Sequence, residues 1–525
     1  MTKTDSSENY PQAAALEEVE TSATSTAIEN AVTPEVERRS VEWDLRQGPK
    51  NYLALVAAQV ASGLLSLISV WLATRLLGST GYGGVVAIVA ASQAIGQLAV
   101  NWTSGSLSRY GVQDFVERGS IARPFWTRFW IFVPNVILVL ATSWLWLPVL
   151  SSLLKLPPQA YLLVLAHFLA NAFWIHVQMG MQGAKLMRLQ GSFLTLERLL
   201  VLLIVGLCVI MQQASFLTVA LAYIFAPLGA SLAGLWALRR LILPVSGIDR
   251  ELLKRMLKFS IPILPASLIG YMSSNYLDAF FISHYLTSAH LGVYSVVYLI
   301  SGTSLQLPLL VGSVLIPLFI TLEVGGSEER AQRFMLNTLP LLTLLWGVAC
   351  IFVAAMGVYV FPRIFGDQFT EMGPLLWPLM AAAAVSGPVL MGYAPYTHSK
   401  AVTYVPMLGA IGASAVNVIL NFLLVPTYGL KGCAWATTVA FAVHPIIIIS
   451  LVHWRLLQKP TWILQALIPP VAGAVCALFY SGLIALAVTL LLTLLLALLH
   501  RQSLSAGLKM LRNIQRGRTG LPLQA

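Results

Sequence analysis

Charged residues are scarce: Asp, Glu, Lys and Arg make up 10% of the 525 residues, against about 25% in an ordinary soluble chain. With 57% hydrophobic residues, a soluble fold of this length has nowhere to bury its apolar surface. Cysteine is sparse too. Cys208, Cys350, Cys433 and Cys476 stand far apart without a CxxC pair or Cys/His ligand spacing, which excludes a disulfide framework and structural zinc and leaves them as small apolar fillers. The sequence has no Walker-type phosphate loop and no HExxH helix, so neither ATP hydrolysis nor zinc proteolysis is expected. The longest loops between apolar runs are about twenty residues, too short for a soluble catalytic domain. No catalytic residue, cofactor or metal is expected, and the chain is read as a non-enzyme. The amino-terminal stretch lacks a basic segment followed by an apolar core, so it does not read as a cleaved signal.

What is present is a series of apolar blocks of about 20 residues or more, long enough to cross a hydrocarbon core of ~30 Å. Lipid offers backbone groups no hydrogen-bond partners, so these blocks are helices or barrel strands. Runs such as Leu483 to Leu499, nearly all Leu and Ala, show no strand alternation. The fold class is therefore an all-α polytopic membrane protein. Spans 1 to 14 are expected near 51–77, 81–108, 126–150, 159–184, 192–212, 215–240, 257–285, 290–321, 333–362, 373–397, 403–425, 432–456, 461–481 and 483–500. The last pair is close enough to form a single re-entrant element instead.

Residues 1–46 differ from the rest. They hold ten acids and four bases among Ser, Thr and Ala, the composition of a disordered cytoplasmic tail. The remaining 28 bases stand against 11 acids, spread over many short loops. That dispersion suits span orientation and contact with anionic lipids and argues against nucleic acid as a partner. With the amino terminus inside, the outer gaps hold only Arg75, Lys155, Arg363 and Lys431, whereas inner segments hold 27 bases. Both termini are thus expected in the cytoplasm.

A repeat is also legible. Leu76 to Leu98 aligns without gaps to Tyr285 to Leu307, with Leu77/Leu286, Ser79/Ser288, Gly83/Gly292, Ser92/Ser301, Gln97/Gln306 and Leu98/Leu307 identical at an offset of 209 residues. Six spans separate the copies, an even number, so the halves form parallel repeats about an axis along the membrane normal. The expected organisation is an acidic tail (1–46), an amino-terminal six-helix lobe (47–240), a basic cytoplasmic linker (241–258), a carboxyl-terminal six-helix lobe (259–456), two extra C-terminal helices (457–500) and a basic cytoplasmic tail (501–525).

Polar residues at membrane depth are costly and usually face a bundle interior or wet cavity. Span 2 presents Gln93, Gln97, Asn101 and Ser108 as one stripe. Span 4 presents His167, Asn171, Gln178 and Gln182. Span 7 carries Ser267, Tyr271, Asn275 and Asp278, span 11 carries Ser414, Asn417 and Asn421, and span 1 adds Gln59, Ser62, Ser66 and Ser69. One such residue reads as interhelical glue; five stripes together read as a shared hydrated cavity. Asp278, in span 7 and read as the only acid well inside a span, is either a structural partner of a base or Tyr, or a cation or proton site. Arg75, at the outer end of span 1, either snorkels to headgroups or attracts an anionic phosphate. Prolines 262 and 265 in span 7 and 308 and 317 in span 8 suit a bending cavity wall.

Three segments carry a family resemblance. Ala73 to Gly83 (ATRLLGSTGYG), Tyr276 to Tyr294 (YLDAFFISHYLTSAHLGVY) and Asn421 to Ala436 (NFLLVPTYGLKGCAWA) resemble polysaccharide-biosynthesis transporters of the Wzx type, in the multidrug/oligosaccharidyl-lipid/polysaccharide exporter superfamily. Over residues 50–500, the resemblance implies flipping of undecaprenyl-pyrophosphate-linked oligosaccharide from the cytoplasmic to the periplasmic leaflet of a bacterial inner membrane, in company with a polysaccharide polymerase and chain-length regulator. The acidic tail departs from that pattern. Neutral Asn, Gln, Ser and Tyr groups suit sugar hydroxyls and Arg suits pyrophosphate, and spans 13 and 14 offer an outer groove for the polyprenyl tail by analogy with peptidoglycan-precursor flippases. The alternatives are such a peptidoglycan lipid-precursor flippase and a multidrug or cation antiporter, whose usual twelve spans fit less well.

Overall fold

The computed structural model describes residues 34–213, 215–261, 275–324, 328–400, 402, 404–457 and 462–515. Most of the acidic tail, Tyr271, Ser267 and the two prolines of span 7 lie outside the described residues. The chain divides into two units, 1–51 and 52–525. In the first, the stretch read as a disordered tail is helical from Pro34. Everything below concerns the second unit.

All regular elements among the described residues are helices, ten of them long and apolar enough to cross a membrane. Two are interrupted by a glycine. Gly78 (φ 66°) breaks Pro34–Ala99 and Gly429 (φ 60°) breaks Tyr404–Val452, at positive φ that only glycine adopts without strain. Each break falls at an expected turn, between spans 1 and 2 and between spans 11 and 12. With these helices split, and with Asn275–Tyr285 and Ile463–Cys476 added, each of the fourteen expected positions holds apolar helix among its described residues.

Turns separated by an even number of spans meet at the same end. At one end Arg75 reaches the end of span 9 and Lys155 Nζ donates to the Leu286 carbonyl at 2.6 Å. At the other end Ser120 donates to the Leu241 carbonyl at 2.8 Å, Lys400 pairs with Glu328 at 3.0 Å, and the linker helix Arg250–Ser260 docks on the end of span 2 and on span 3. Its N-cap, Asp249, accepts from the Leu252 amide at 2.9 Å and from Arg123 Nε at 2.6 Å. The Leu252 amide, with Arg123 adding to it, holds that carboxyl below the usual range. Leu252 and Met256 are buried in a cluster with Leu107 and Phe125.

The repeat has a physical counterpart. A Cβ on Gly83 would collide with the Ser288 carbonyl oxygen, and one on Gly292 with the Ser79 carbonyl oxygen. Ser79/Ser288 and Gly83/Gly292 are both equivalent pairs at the 209-residue offset, so the contact is reciprocal, as at an interface containing a two-fold axis. Spans 2 and 8 cross there with backbones touching. Span 10 (Met372–Pro388) is buried almost throughout, whereas span 14 (Gly482–Leu499) buries Ala485 and Thr489 and exposes Leu491 and Leu494.

Candidate functional site

The polar stripes separate into two places. The first is a cavity of about 210 Å³ on the inner faces of spans 1, 2, 4, 5 and 6, with Ser295 and Leu299 of span 8 contributed by the other half. The i, i+4 rule puts Gln93 of span 2, and His167 and Asn171 of span 4, on the cavity wall; Ser66 and Ser69 enter from span 1, and Tyr82 and Tyr223 from spans 2 and 6. His167 is buried, and its Nδ1 is hydrogen-bonded to Ser92 Oγ, which fixes the ring. The walls thus mix neutral donors and acceptors with apolar Val and Leu, a lining matched to hydroxyl-rich ligands.

Two charges line the same cavity and were not among the expected site residues. Glu197 and Arg198 lie in span 5 (Met187–Ile210). Glu197 is 6% exposed, with Oε2 3.2 Å from Arg198 Nε. Arg198 reads in the sequence as one more inner-side base. The available signal was the spacing of Glu197 with Val201 and Val205, four residues apart and all buried: an acid on the inward stripe of a span.

The second place is a buried cluster between spans 7, 8, 11 and 12. Asp278 Oδ2 accepts from Tyr294 Oη at 2.6 Å and from Thr437 Oγ1 at 2.9 Å, and Oδ1 accepts from Asn421 Nδ2 at 3.1 Å. Asn421 also donates to Asn417 Oδ1 at 3.1 Å. Asp278, Asn417 and Asn421 are all buried. Three expected residues are therefore brought together, none of them on the wall of the first cavity, and Tyr294 and Thr437 are the partners that spacing did not reveal.

The other expected residues have different neighbours. Gln97 accepts from Asn101 within span 2 at 3.3 Å, beside the 3₁₀ turn Asn101–Thr103 that interrupts that span. Gln178 is half-buried and does not line the cavity. Asn275 opens the helix Asn275–Tyr285, with its side chain outside the described residues. Arg75 is exposed near the Gly78 turn: Nε donates to the Ile364 carbonyl and Nη2 to the Arg363 carbonyl, both at 2.8 Å, while Trp71 donates to Ile364 at 2.9 Å. It caps the C-terminus of span 9, where cations are favoured. Arg128, counted as an inner-loop base, is fully buried; it donates to the Thr103 carbonyl at the span 2 break and contacts His176 Nδ1.

An apolar groove of about 790 Å³ runs along the other face of span 2, between Leu98, Trp102, Leu138 and Trp146 of spans 2 and 3. Spans 13 and 14 pack instead against each other, Gly473 on Thr489, and against span 9, Pro470 on Gly347. The geometry forecasts which positions water reaches. In a background lacking the native cysteines, Gln93→Cys and Asn171→Cys should react with a small hydrophilic maleimide, and lipid-facing Leu494→Cys should stay unlabelled at least tenfold longer. Equal silence at all three would make the polar stripes dry packing.

Comparison with known proteins bears on this arrangement. Residues 49–323 match the family described as polysaccharide biosynthesis protein. The probable low-salt glycan biosynthesis flippase Agl15 of Haloferax volcanii is 24% identical over 191 residues, which cover 35% of this chain and 38% of that protein; the match spans well under half of that relative. Among solved structures, the lipid II flippase MurJ in an inward closed conformation superposes with a TM-score of 0.65 at 11% identity, covering 85% of this chain and 99% of that one. The MATE multidrug transporter DinF-BH superposes with a TM-score of 0.51 at 12% identity, covering 81% and 96%. At these identities the structural likenesses bear on the fold.

Proposed function

Because the chain belongs to the polysaccharide biosynthesis protein family, we propose that it flips undecaprenyl-pyrophosphate-linked oligosaccharide from the cytoplasmic to the outer leaflet of the plasma membrane by alternating access, without catalysing a covalent step. The observation that carries this reading is the cavity of neutral hydrogen-bonding side chains between the repeats, with Arg198 on its wall. Sugar hydroxyls pair with Gln93, Asn171, Ser66 and Ser69; the diphosphate meets the guanidinium; the polyprenyl chain stays in lipid, along the apolar groove of spans 2 and 3. Asp278 and its neighbours form the ion-coupling site. The surrounding anionic lipid holds the basic inner loops, and a polymerase and chain-length regulator receive the product.

The reading is tested by reconstituting the full chain in liposomes with a fluorescent short-chain lipid-linked oligosaccharide and following its access to an external glycosidase. Protein-dependent exposure at least about tenfold above empty liposomes is expected. Exposure of a lipid-linked peptidoglycan precursor alone, or export of cationic dyes alone, would replace this reading by one of the alternatives. Orientation has its own check: reporter fusions after Lys155, Gln213 and Arg363 should report the outside, and fusions after Arg118, Asp249 and Arg501 the cytoplasm. A cytoplasmic signal after Gln213 would break the six-span repeat.

A further inference from the structure

Glu197 and Arg198 are an unusual pair to find on a substrate cavity. They are neighbours in one helix, so their side chains leave the axis about 100° apart, yet Arg198 Nε folds back to within 3.2 Å of Glu197 Oε2. The two ends differ in access: the Arg198 side chain is 37% exposed and the Glu197 side chain 7%. Among the described residues Glu197 Oε2 accepts no hydrogen bond, so this buried oxygen is met by the Arg198 charge alone. A buried carboxylate oxygen without a donor is tolerated while a cation stands beside it; take the cation away and the cheapest remedy is a proton.

We propose that Glu197 is the exchangeable counter-ion of Arg198: an anionic diphosphate headgroup entering the cavity takes the guanidinium, and the stranded Glu197 carboxylate takes up one proton from solution. This rests on the reading of the cavity as the headgroup site and adds to it a coupling between anion and proton. The bookkeeping closes. Before binding, the pair is neutral; afterwards Arg198 faces the diphosphate and Glu197 is a neutral acid, so the wall behind the ligand carries no repelling charge. On release, Glu197 returns its proton and recaptures Arg198. The resident carboxylate thus competes with the ligand for one guanidinium, which keeps the site from holding a dianion too tightly to let go.

The other titratable groups on the cavity wall are His167 of span 4, Tyr82 of span 2 and Tyr223 of span 6. His167 is committed through Nδ1 to Ser92, and the two phenols do not ionise near neutrality. Linkage then sets the sign. One proton gained on binding makes affinity fall about tenfold per pH unit across the interval where Glu197 is ionised in the free protein and protonated in the complex.

The test uses the purified full chain in detergent and farnesyl-diphosphate-N-acetylglucosamine, a diphosphate diester with no phosphate titration near neutrality. Calorimetry in buffers of different ionisation heat counts protons. Wild type should take up about one proton per ligand, and its affinity should fall with rising pH. Glu197→Gln should bind at least as tightly, with no proton uptake and a flat pH profile; Arg198→Gln should lose binding at least tenfold. Unchanged proton uptake by Glu197→Gln would overturn the proposal, as would its loss in His167→Asn, which would assign the titration to the imidazole. If wild type binds this probe without proton uptake, the counter-ion exchange fails while the headgroup site stands. If wild type does not bind it at all, the headgroup reading fails and the exchange with it.

Discussion

Asp278→Asn is expected to reduce flipping of lipid-linked oligosaccharide about a hundredfold or more while leaving the amount of protein in the membrane unchanged. The reason lies in the partners of the carboxylate. Its oxygens receive Tyr294 Oη, Thr437 Oγ1 and Asn421 Nδ2, all neutral donors, with no Lys or Arg among these partners in the described residues. Asparagine has the same shape. Its oxygen can keep the bond from Asn421, and the Tyr294 and Thr437 hydroxyls can rotate to accept from its amide. What disappears is the negative charge. If that charge holds a proton or cation during the cycle, the cycle stops although the fold persists. Asp278→Leu separates the two roles from the other side. It removes the shared acceptor: Tyr294 and Thr437 keep their mutual bond at 3.0 Å and Asn421 its bonds to Asn417, but one buried hydroxyl proton is left without an acceptor at about 1–3 kcal/mol, so abundance should fall together with transport. Asp278→Glu keeps the charge on a longer arm and should retain part of the activity. Flipping and membrane abundance are measured side by side; full activity of an abundant Asp278→Asn protein would rule out an essential charge here.

This position also marks how far sequence alone reaches. Helical class, span number and the turns at Gly78 and Gly429 were legible because they rest on hydropathy and on the conformational demands of one residue type. Parts of the faces were legible too: Gln93, His167 and Asn171 share a cavity wall, and Asp278, Asn417 and Asn421 share a cluster. Which faces meet was not. Helix periodicity gives a direction around one axis and says nothing of the neighbouring axis, so five stripes looked like a single cavity where the fold gathers their residues into a cavity wall and a separate buried cluster. Tyr294 and Thr437 were missed for the same reason, being joined to Asp278 only across helices. Arg75 illustrates a second limit. Its charge and depth fit a phosphate site, but the carbonyls at the end of span 9, 288 and 289 positions away, are what it meets. Arg128 and Arg198 show a third: a base near a span end scores as loop charge whether it points to water or into the bundle. Glu197 was masked by that neighbour, since an adjacent acid and base look like a solvated span end.

The repeat yields the other large effect, because it predicts that two distant substitutions behave alike. Gly83→Val and Gly292→Val should each cut flipping about a hundredfold with little loss of folded protein. A side chain on Gly83 strikes the Ser288 carbonyl, and a side chain on Gly292 strikes the Ser79 carbonyl; both obstacles are backbone, which cannot move aside as a rotamer can. Relief comes only from moving span 2 and span 8 apart. That crossing lies at the same end as the Arg75 contacts to Arg363 and Ile364 and the Lys155 contact to Leu286, so parting the helices opens this end and weakens those bonds together. A separate buried cluster inside each half, around Leu107 and Phe125 in one and around Phe319 and Tyr396 in the other, is left untouched, which is why the protein should still fold. Alternating access needs both ends to close in turn, and a molecule wedged open at one end cannot complete the cycle. The same wedge should make a cysteine at Gln93 reachable from that end by a membrane-impermeant maleimide at least about tenfold faster than in the unwedged protein. The equivalence is the discriminating part. If Gly83 merely packs locally within its own half, Gly292→Val need not resemble Gly83→Val, and adding the second substitution to the first should deepen the defect. If both sit on one pseudo-two-fold contact, the first substitution has already parted the helices and the double variant should be little worse than either single one. A double variant whose losses multiply would remove the contact from the transport cycle.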